Sequence, residues 1–176
     1  MRIISGIYKG RRFDVPRSFK ARPTTDFAKE NIFNVLRGYI DFEETTVCDL
    51  FGGTGSISLE FLSRGCPAVC TIERDRSHYA FIRQCSRTID DPAWTVLCSD
   101  ALRFMARPSR SFDLVFADPP YAMAELPELP DRLFASTLLR PEGLFVLEHG
   151  KDHDFSTHPH FVDHRSYGSV NFSLFR

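Results

Sequence analysis

The sequence has no apolar run long enough to span a bilayer, and its start, Met1-Arg2-Ile3-Ile4-Ser5-Gly6-Ile7-Tyr8-Lys9, has no apolar signal-peptide core. A soluble cytoplasmic protein that meets no membrane is therefore expected. None of the five cysteines (48, 66, 70, 85 and 98) forms a C-x-x-C pair. Most lie in apolar strand-like runs, so they read as reduced core residues rather than disulfides or thiolate metal ligands. Five of the six histidines fall late (149, 153, 158, 160, 164) without metal-ligand spacing, and no metal is expected. There are no repeats or low-complexity tracts. No G-K-[ST] follows the glycine-rich stretch, which excludes a P-loop.

What remains suits one domain with a small appendage, since 176 residues at 43% hydrophobic can bury a sizeable core. The net charge is only −1, but it is unevenly placed. Arg2, Lys9, Arg11, Arg12, Arg17, Lys20, Arg22 and Lys29 face only Asp14 and Asp26 in the first 29 residues, so the excess of acid lies in the rest of the chain. Such asymmetry suggests a segment that meets a polyanion attached to a body with other work.

Taken in order, Arg2-Ile3-Ile4 and Arg12-Phe13-Asp14-Val15 read as a small hairpin ended by Pro16. A loop to Pro23 follows, and Thr24, Thr25 and Asp26 can cap a helix whose Ile32, Val35, Leu36 and Tyr39 share one face. From Thr46 the pattern alternates. Strands are expected at 46–51, 68–72, 94–98, 112–117 and 143–149, with helices from the glycines to Gly65, over 75–88, 100–106 and 125–139. The tail alternates over 161–165 and 169–175 around Tyr167-Gly168, as an antiparallel pair closing the sheet edge. Alternating β and α elements imply a doubly wound α/β sheet, with ligands bound at the carboxyl edge where strand order reverses.

Three strand ends carry an acid. Asp49-Leu50-Phe51-Gly52-Gly53-Thr54-Gly55 ends the first core strand, where glycines let the backbone approach a ligand closely. Glu73 ends the second and can accept both ribose hydroxyls of an adenosine; Asp100, followed by Ala101, ends the third within reach of an adenine. Each acid alone also reads as a helix cap. The fourth strand delivers Asp118-Pro119-Pro120-Tyr121. Two prolines without N–H donors make a stiff corner with free carbonyls, which with a carboxylate and a ring suits a flat ligand bearing an NH2 group. Gly53-Thr54-Gly55-Ser56-Ile57-Ser58 also approximates a dinucleotide G-x-G-x-x-G, with Glu73 about twenty residues on. Against that reading, Ser58 replaces the third glycine, and Asp49 would set a negative charge near a pyrophosphate. A cationic sulfonium suits an acidic strand end better.

Asp49 to Gly55 resembles motif I of class I S-adenosylmethionine methyltransferases, and Asp118-Pro119-Pro120-Tyr121 their [DNS]-P-P-[YFW] motif for planar exocyclic amines. Arg2-Ile3-Ile4-Ser5-Gly6 with Lys9-Gly10-Arg11-Arg12, then Arg22-Pro23-Thr24-Thr25-Asp26, Phe33-Asn34, Leu62-Ser63-Arg64-Gly65 and Asp100-Ala101 are similar to the bacterial 16S ribosomal RNA guanine-N2 methyltransferase family. Gly52 stands where that family usually has alanine, a change expected to matter little, and Phe27 where a basic residue is common. The resemblance implies a Rossmann-like seven-stranded sheet with an antiparallel C-terminal hairpin, a catalytic core at 42–176 and an RNA-binding hairpin and helix at 1–41. It implies that Asp49, Phe51, Gly52, Gly53, Gly55, Glu73, Asp100 and Ala101 hold S-adenosylmethionine. It further implies that Asp118, Pro119, Pro120 and Tyr121 form the catalytic corner, and that Arg2, Lys9, Arg11, Arg12, Arg22, Thr24 and Thr25 meet 16S ribosomal RNA or the small ribosomal subunit. The competing expectations are methylation of a DNA base, of a protein glutamine, or an RNA-binding module without catalysis.

Overall fold

A computed structural model of the chain describes residues 1–19 and 24–176. Lys20, Arg22 and Pro23, and with them the end of the expected loop, lie outside the described residues. Helix α1 spans Asp26–Leu36, followed by β1 (Thr46–Asp49), α2 (Ser56–Ser63), β2 (Ala68–Glu73), α3 (Arg76–Ile89), β3 (Trp94–Cys98), α4 (Ala101–Ala106) and β4 (Phe112–Ala117). A short helix α5 (Leu129–Phe134) precedes β5 (Leu139–His149), β6 (Phe161–Tyr167) and β7 (Val170–Phe175).

The seven strands form one sheet in the order β3-β2-β1-β4-β5-β7-β6. The five from β3 to β5 run parallel, and β7 pairs antiparallel with both β5 and β6. Parallel strands covered on both faces read as continuous apolar runs, and β4 shows why: Leu114 and Phe116 enter the core on one side, Val115 and Ala117 the core on the other. The chain order reverses between β1 and β4. In sheets of this kind ligands bind outside the carboxyl ends of the strands at that reversal.

Helix α3 shows the expected amphipathic pattern, burying Ile82, Cys85 and Ile89 on one face. Helix α2 differs, because all eight of its residues are buried, including Ser58 and Glu60. Its outer face is covered by α1 and the N-terminal segment. There Glu60 Oε1 accepts from Lys29 Nζ (3.0 Å) and the Ile4 N–H (2.8 Å), while Oε2 accepts from Arg64 Nη1 (2.5 Å). The Arg64 guanidinium also lies 4.2 Å from the Phe33 ring centroid. Gly6, at φ +85°, passes so near α2 that a Cβ there would sit 1.8 Å from the Ser63 carbonyl oxygen. Only glycine fits this approach.

Three expectations need correction. The N-terminal hairpin has one bridge pair, Arg2 with Arg12, rather than two strands. Backbone bonds such as Ile3 N–H to Arg11 O and Phe13 N–H to Met1 O hold it together, but the N–H groups of Ile4, Ile7 and Tyr8 donate to α2 instead of across the hairpin. The helix expected over 125–139 shrinks to a 3-10 turn at Leu126–Glu128 and the short α5, because Pro127 and Pro130 fit only at helix starts. Strand β5 begins four residues earlier than expected, at Leu139. Its register with β4 shifts between Phe112 and Leu114, where Glu142 adopts φ +62°.

Candidate active site

Asp49, the last residue of β1, is 1% exposed. Its Oδ2 accepts from the Ser58 hydroxyl (2.7 Å), and its Oδ1 has no partner although it is buried. The hydroxyls leave one consistent order of donation. Trp94 Nε1–H donates to Thr71 Oγ1 (2.8 Å), Thr71 therefore donates to Ser58 (2.6 Å), and Ser58 donates to Asp49. Burial raises the Asp49 carboxyl to about 6, against the pull of the Ser58 hydroxyl and the Phe51 backbone N–H. A third glycine at position 58 would leave this relay without its middle member. The departure from the dinucleotide fingerprint thus has a physical purpose at the first strand end.

The glycine turn is held by the second strand end. Glu73 Oε2 accepts the Gly53 N–H and Oε1 the Asp75 N–H, both at 2.7 Å. The carboxylate expected to meet a ribose is thus engaged by backbone on each oxygen, with lone pairs left for further donors. Gly53 and Gly55 take φ of +56° and +79°, the left-handed region, and Gly55 caps α2. Gly52 is more constrained than expected: a Cβ would lie 2.5 Å from Thr71 Cγ2, and Thr71 is pinned by the Ser58 hydroxyl and the Trp94 indole N–H. Phe51 packs beside the core face that includes Leu50, Ala101 and Met105. Asp100 caps α4 by accepting the Arg103 N–H (3.0 Å), as an ordinary helix cap would, and Ala101 is buried behind it.

Beside β1, the fourth strand brings Asp118 to the same edge; Asp49 is in register with Phe116, two residues before it. Pro119 is buried, while Pro120 and Tyr121 are exposed. The Tyr121 hydroxyl donates to Glu148 Oε1 at 2.8 Å, and its ring lies against Gly150, where a Cβ would be 3.2 Å from Cδ2. The Asp118 carboxyl is pushed well above its usual range, first by burial, then by the charges of Glu148 and Asp49. Glu148 is raised too, chiefly by burial. No arginine, lysine or histidine pairs with Asp49, Asp118 or Glu148 among the described residues. This is a pocket edge of carboxylates without a counter-cation.

The basic segment divides in two. Lys9, Arg11 and Arg12 are exposed, whereas Arg2 is bound by Asp26 Oδ2 at 2.8 Å and Lys29 is buried on Glu60. Thr25 caps α1 by accepting the Ala28 N–H, and Thr24 reaches inward to Glu148 Oε2 at 3.5 Å. Phe27 is 64% exposed and stands edge-on to Tyr167. Sequence reasoning missed Ser58, Thr71 and Glu148. Among the described residues no group of three or more His, Cys, Asp or Glu could hold a metal ion, and no helix is long and apolar enough to cross a membrane. The cysteines are free, and all but Cys98 are buried.

A seven-stranded sheet with this order, a glycine turn after β1 and an acid-Pro-Pro-aromatic corner after β4 defines a class I methyltransferase. The chain belongs to the family described as conserved hypothetical protein 95, whose model matches residues 1–176. It is 30% identical to the ribosomal RNA small subunit methyltransferase D of Haemophilus influenzae, covering 100% of this chain and 93% of that one. It is 33% identical to the protein of the same name from Escherichia coli K12, over 90% and 79%. The solved structure of yhhF from Escherichia coli superposes with a TM-score of 0.87 at 29% identity, covering 99% of this chain and 96% of that one. TrmN from Thermus thermophilus, at 22% identity and a TM-score of 0.64, covering 84% and 46%, shares the fold. The chain is a methyltransferase.

Proposed function

We propose that this enzyme transfers a methyl group from S-adenosylmethionine to the exocyclic N2 amine of a guanine in small-subunit ribosomal RNA. The observation that carries the reading is the partnerless, buried Asp49 Oδ1 beside the Asp118 corner. A buried carboxyl oxygen left without a donor is costly unless a cationic or N–H-bearing ligand completes it. The residues present therefore fit a cofactor with a cationic amino-acid end. When bound, S-adenosylmethionine supplies an electrophilic methyl group on a sulfonium. Asp49, the turn from Phe51 to Gly55, Glu73, Asp100 and Ala101 would hold it.

At the corner, Asp118 and the Pro119 carbonyl would each accept one N–H of the amine. That fixes the nitrogen lone pair in line with the methyl group and leaves Asp118 placed to take the proton that the methylated nitrogen releases. Tyr121, tied to Glu148, would stack on the base. Positioning and electrostatics of this kind supply most of the catalysis where the nucleophile needs no covalent help. Because the cofactor and the amine would meet at the strand edge, the base must leave its stack to reach it. Residues 1–41 would serve as the RNA-facing extension, with exposed Lys9, Arg11 and Arg12 on phosphates. Arg2 and Lys29 would work structurally through Asp26 and Glu60.

Mass mapping of methylated nucleosides in ribosomal RNA from cells lacking the gene tests the reading. Loss of N2-methylguanosine at one small-subunit position is expected. An unchanged set of modified nucleosides would overturn it.

A further inference from the structure

Glu148 lies on β5 beside the catalytic corner. Ala117 is in register with Leu147, which sets Asp118 and Glu148 side by side at the carboxyl edge of neighbouring parallel strands. Glu148 is 4% exposed, and the hydrogen bonds to its carboxyl come from neutral hydroxyls: Tyr121 on Oε1 at 2.8 Å and Thr24 on Oε2 at a long 3.5 Å. These contacts come from two separate segments, one from the corner after β4 and one from the segment before α1. They hold the carboxyl in place and leave acceptor capacity unused. The other structural acid of the chain, Glu60, is by contrast saturated by two cations and a backbone N–H.

The chemistry of bases gives that spare capacity a use. Guanine presents two donors next to each other, N1–H and the N2 amine. Adenine and cytosine present an amine beside a bare ring-nitrogen acceptor. We propose that Glu148 accepts the N1–H of the target guanine while Asp118 accepts from its N2 amine, so that the two carboxylates together select a donor–donor edge and repel a donor–acceptor one. This rests on the reading of Asp118 given above and adds the residue that makes the corner specific for guanine. The raised ionisation of both carboxyls agrees, because a pair of adjacent acids, one buried and one half-buried, retains a proton that two N–H donors and a cationic cofactor can displace.

The test measures kcat/KM for methyl transfer by the full chain to small-subunit RNA carrying guanine or 2-aminopurine at the target position. The analogue keeps the N2 amine but has a bare N1. Wild-type enzyme is expected to prefer guanine by about tenfold to a hundredfold. Glu148→Gln, whose amide can donate to the bare N1, is expected to narrow that preference about tenfold or more while S-adenosylmethionine binding by calorimetry persists. A Glu148 that only supports Tyr121 would lower both substrates together. An unchanged ratio would therefore overturn the proposal, as would equal use of both RNAs by the wild type, which decides the matter even if the variant does not fold. No transfer to guanine by the wild type would overturn the reading of Asp118 first, and this one with it.

Discussion

Two groups of acids in this molecule, all buried but for the half-buried Asp118, face opposite circumstances. Glu60, on α2, is 0% exposed and meets Lys29, Arg64 and the Ile4 N–H, all inside the protein. Asp49 and Glu148, at the carboxyl edge of the sheet, take hydrogen bonds from hydroxyls only, Asp118 beside them has no cation, and one oxygen of Asp49 has no partner. A buried charge with its partners supplied is structural, and here it fastens the N-terminal segment to the helix that opens from the glycine turn. A buried acid without a cation implies that its partner arrives from outside. The carboxyl edge thus lacks a counter-cation in the free protein, whereas in the docking network both oxygens of Glu60 are met by cations, with only Arg64 Nε left without a partner.

The comparison can be broken most directly by removing one acid from each group. Glu60→Ala removes the shared carboxylate of two buried cations, leaving Lys29 only the Asp26 carboxylate at 3.9 Å, and by denaturant titration a loss of about 3–5 kcal/mol is expected. Asp49→Asn should cost far less stability, since it removes a charge that burial already disfavours. A similar loss for the two variants would erase the distinction.

A smaller effect sharpens the comparison through pH. Asp49 ionises at about 6, so a cationic ligand finds a charged partner above that pH and loses it below. S-adenosylmethionine affinity by calorimetry should therefore weaken as pH falls through about 6 in the wild type. In Asp49→Asn it should be about tenfold weaker at neutral pH and flat across the same range. The stability of the free protein carries the opposite sign for this group. Its raised value means that the folded chain holds the proton more tightly, so charging Asp49 costs stability as pH rises from about 4 to about 6. A pH-independent wild-type affinity would show that Asp49 does not face the cofactor's charge.

The parts of this arrangement that were readable in the sequence share a cause. The parallel strands are continuous apolar runs ended by an acid or a glycine, so both the sheet and the positions of Asp49, Glu73, Asp100 and Asp118 follow from local pattern. Glu148 was not readable, because Leu144-Phe145-Val146-Leu147-Glu148-His149 looks like one more strand with a polar end. Its role depends on the register between β5 and β4, which no local signal states. Ser58 was seen only as a missing glycine, since its partners Asp49 and Thr71 come from two different strands. The basic arm misled in part. Lys29 and Arg2 count as positive charge in the sequence, yet in the fold they are neutralised by Glu60 and Asp26.

The most direct test of the carboxyl edge as the seat of methyl transfer is Asp118→Ala, measured by transfer of labelled methyl from S-adenosylmethionine to small ribosomal subunits alongside calorimetric cofactor binding. A loss of more than about a hundredfold in transfer with cofactor binding retained is expected. Unchanged transfer would contradict the account.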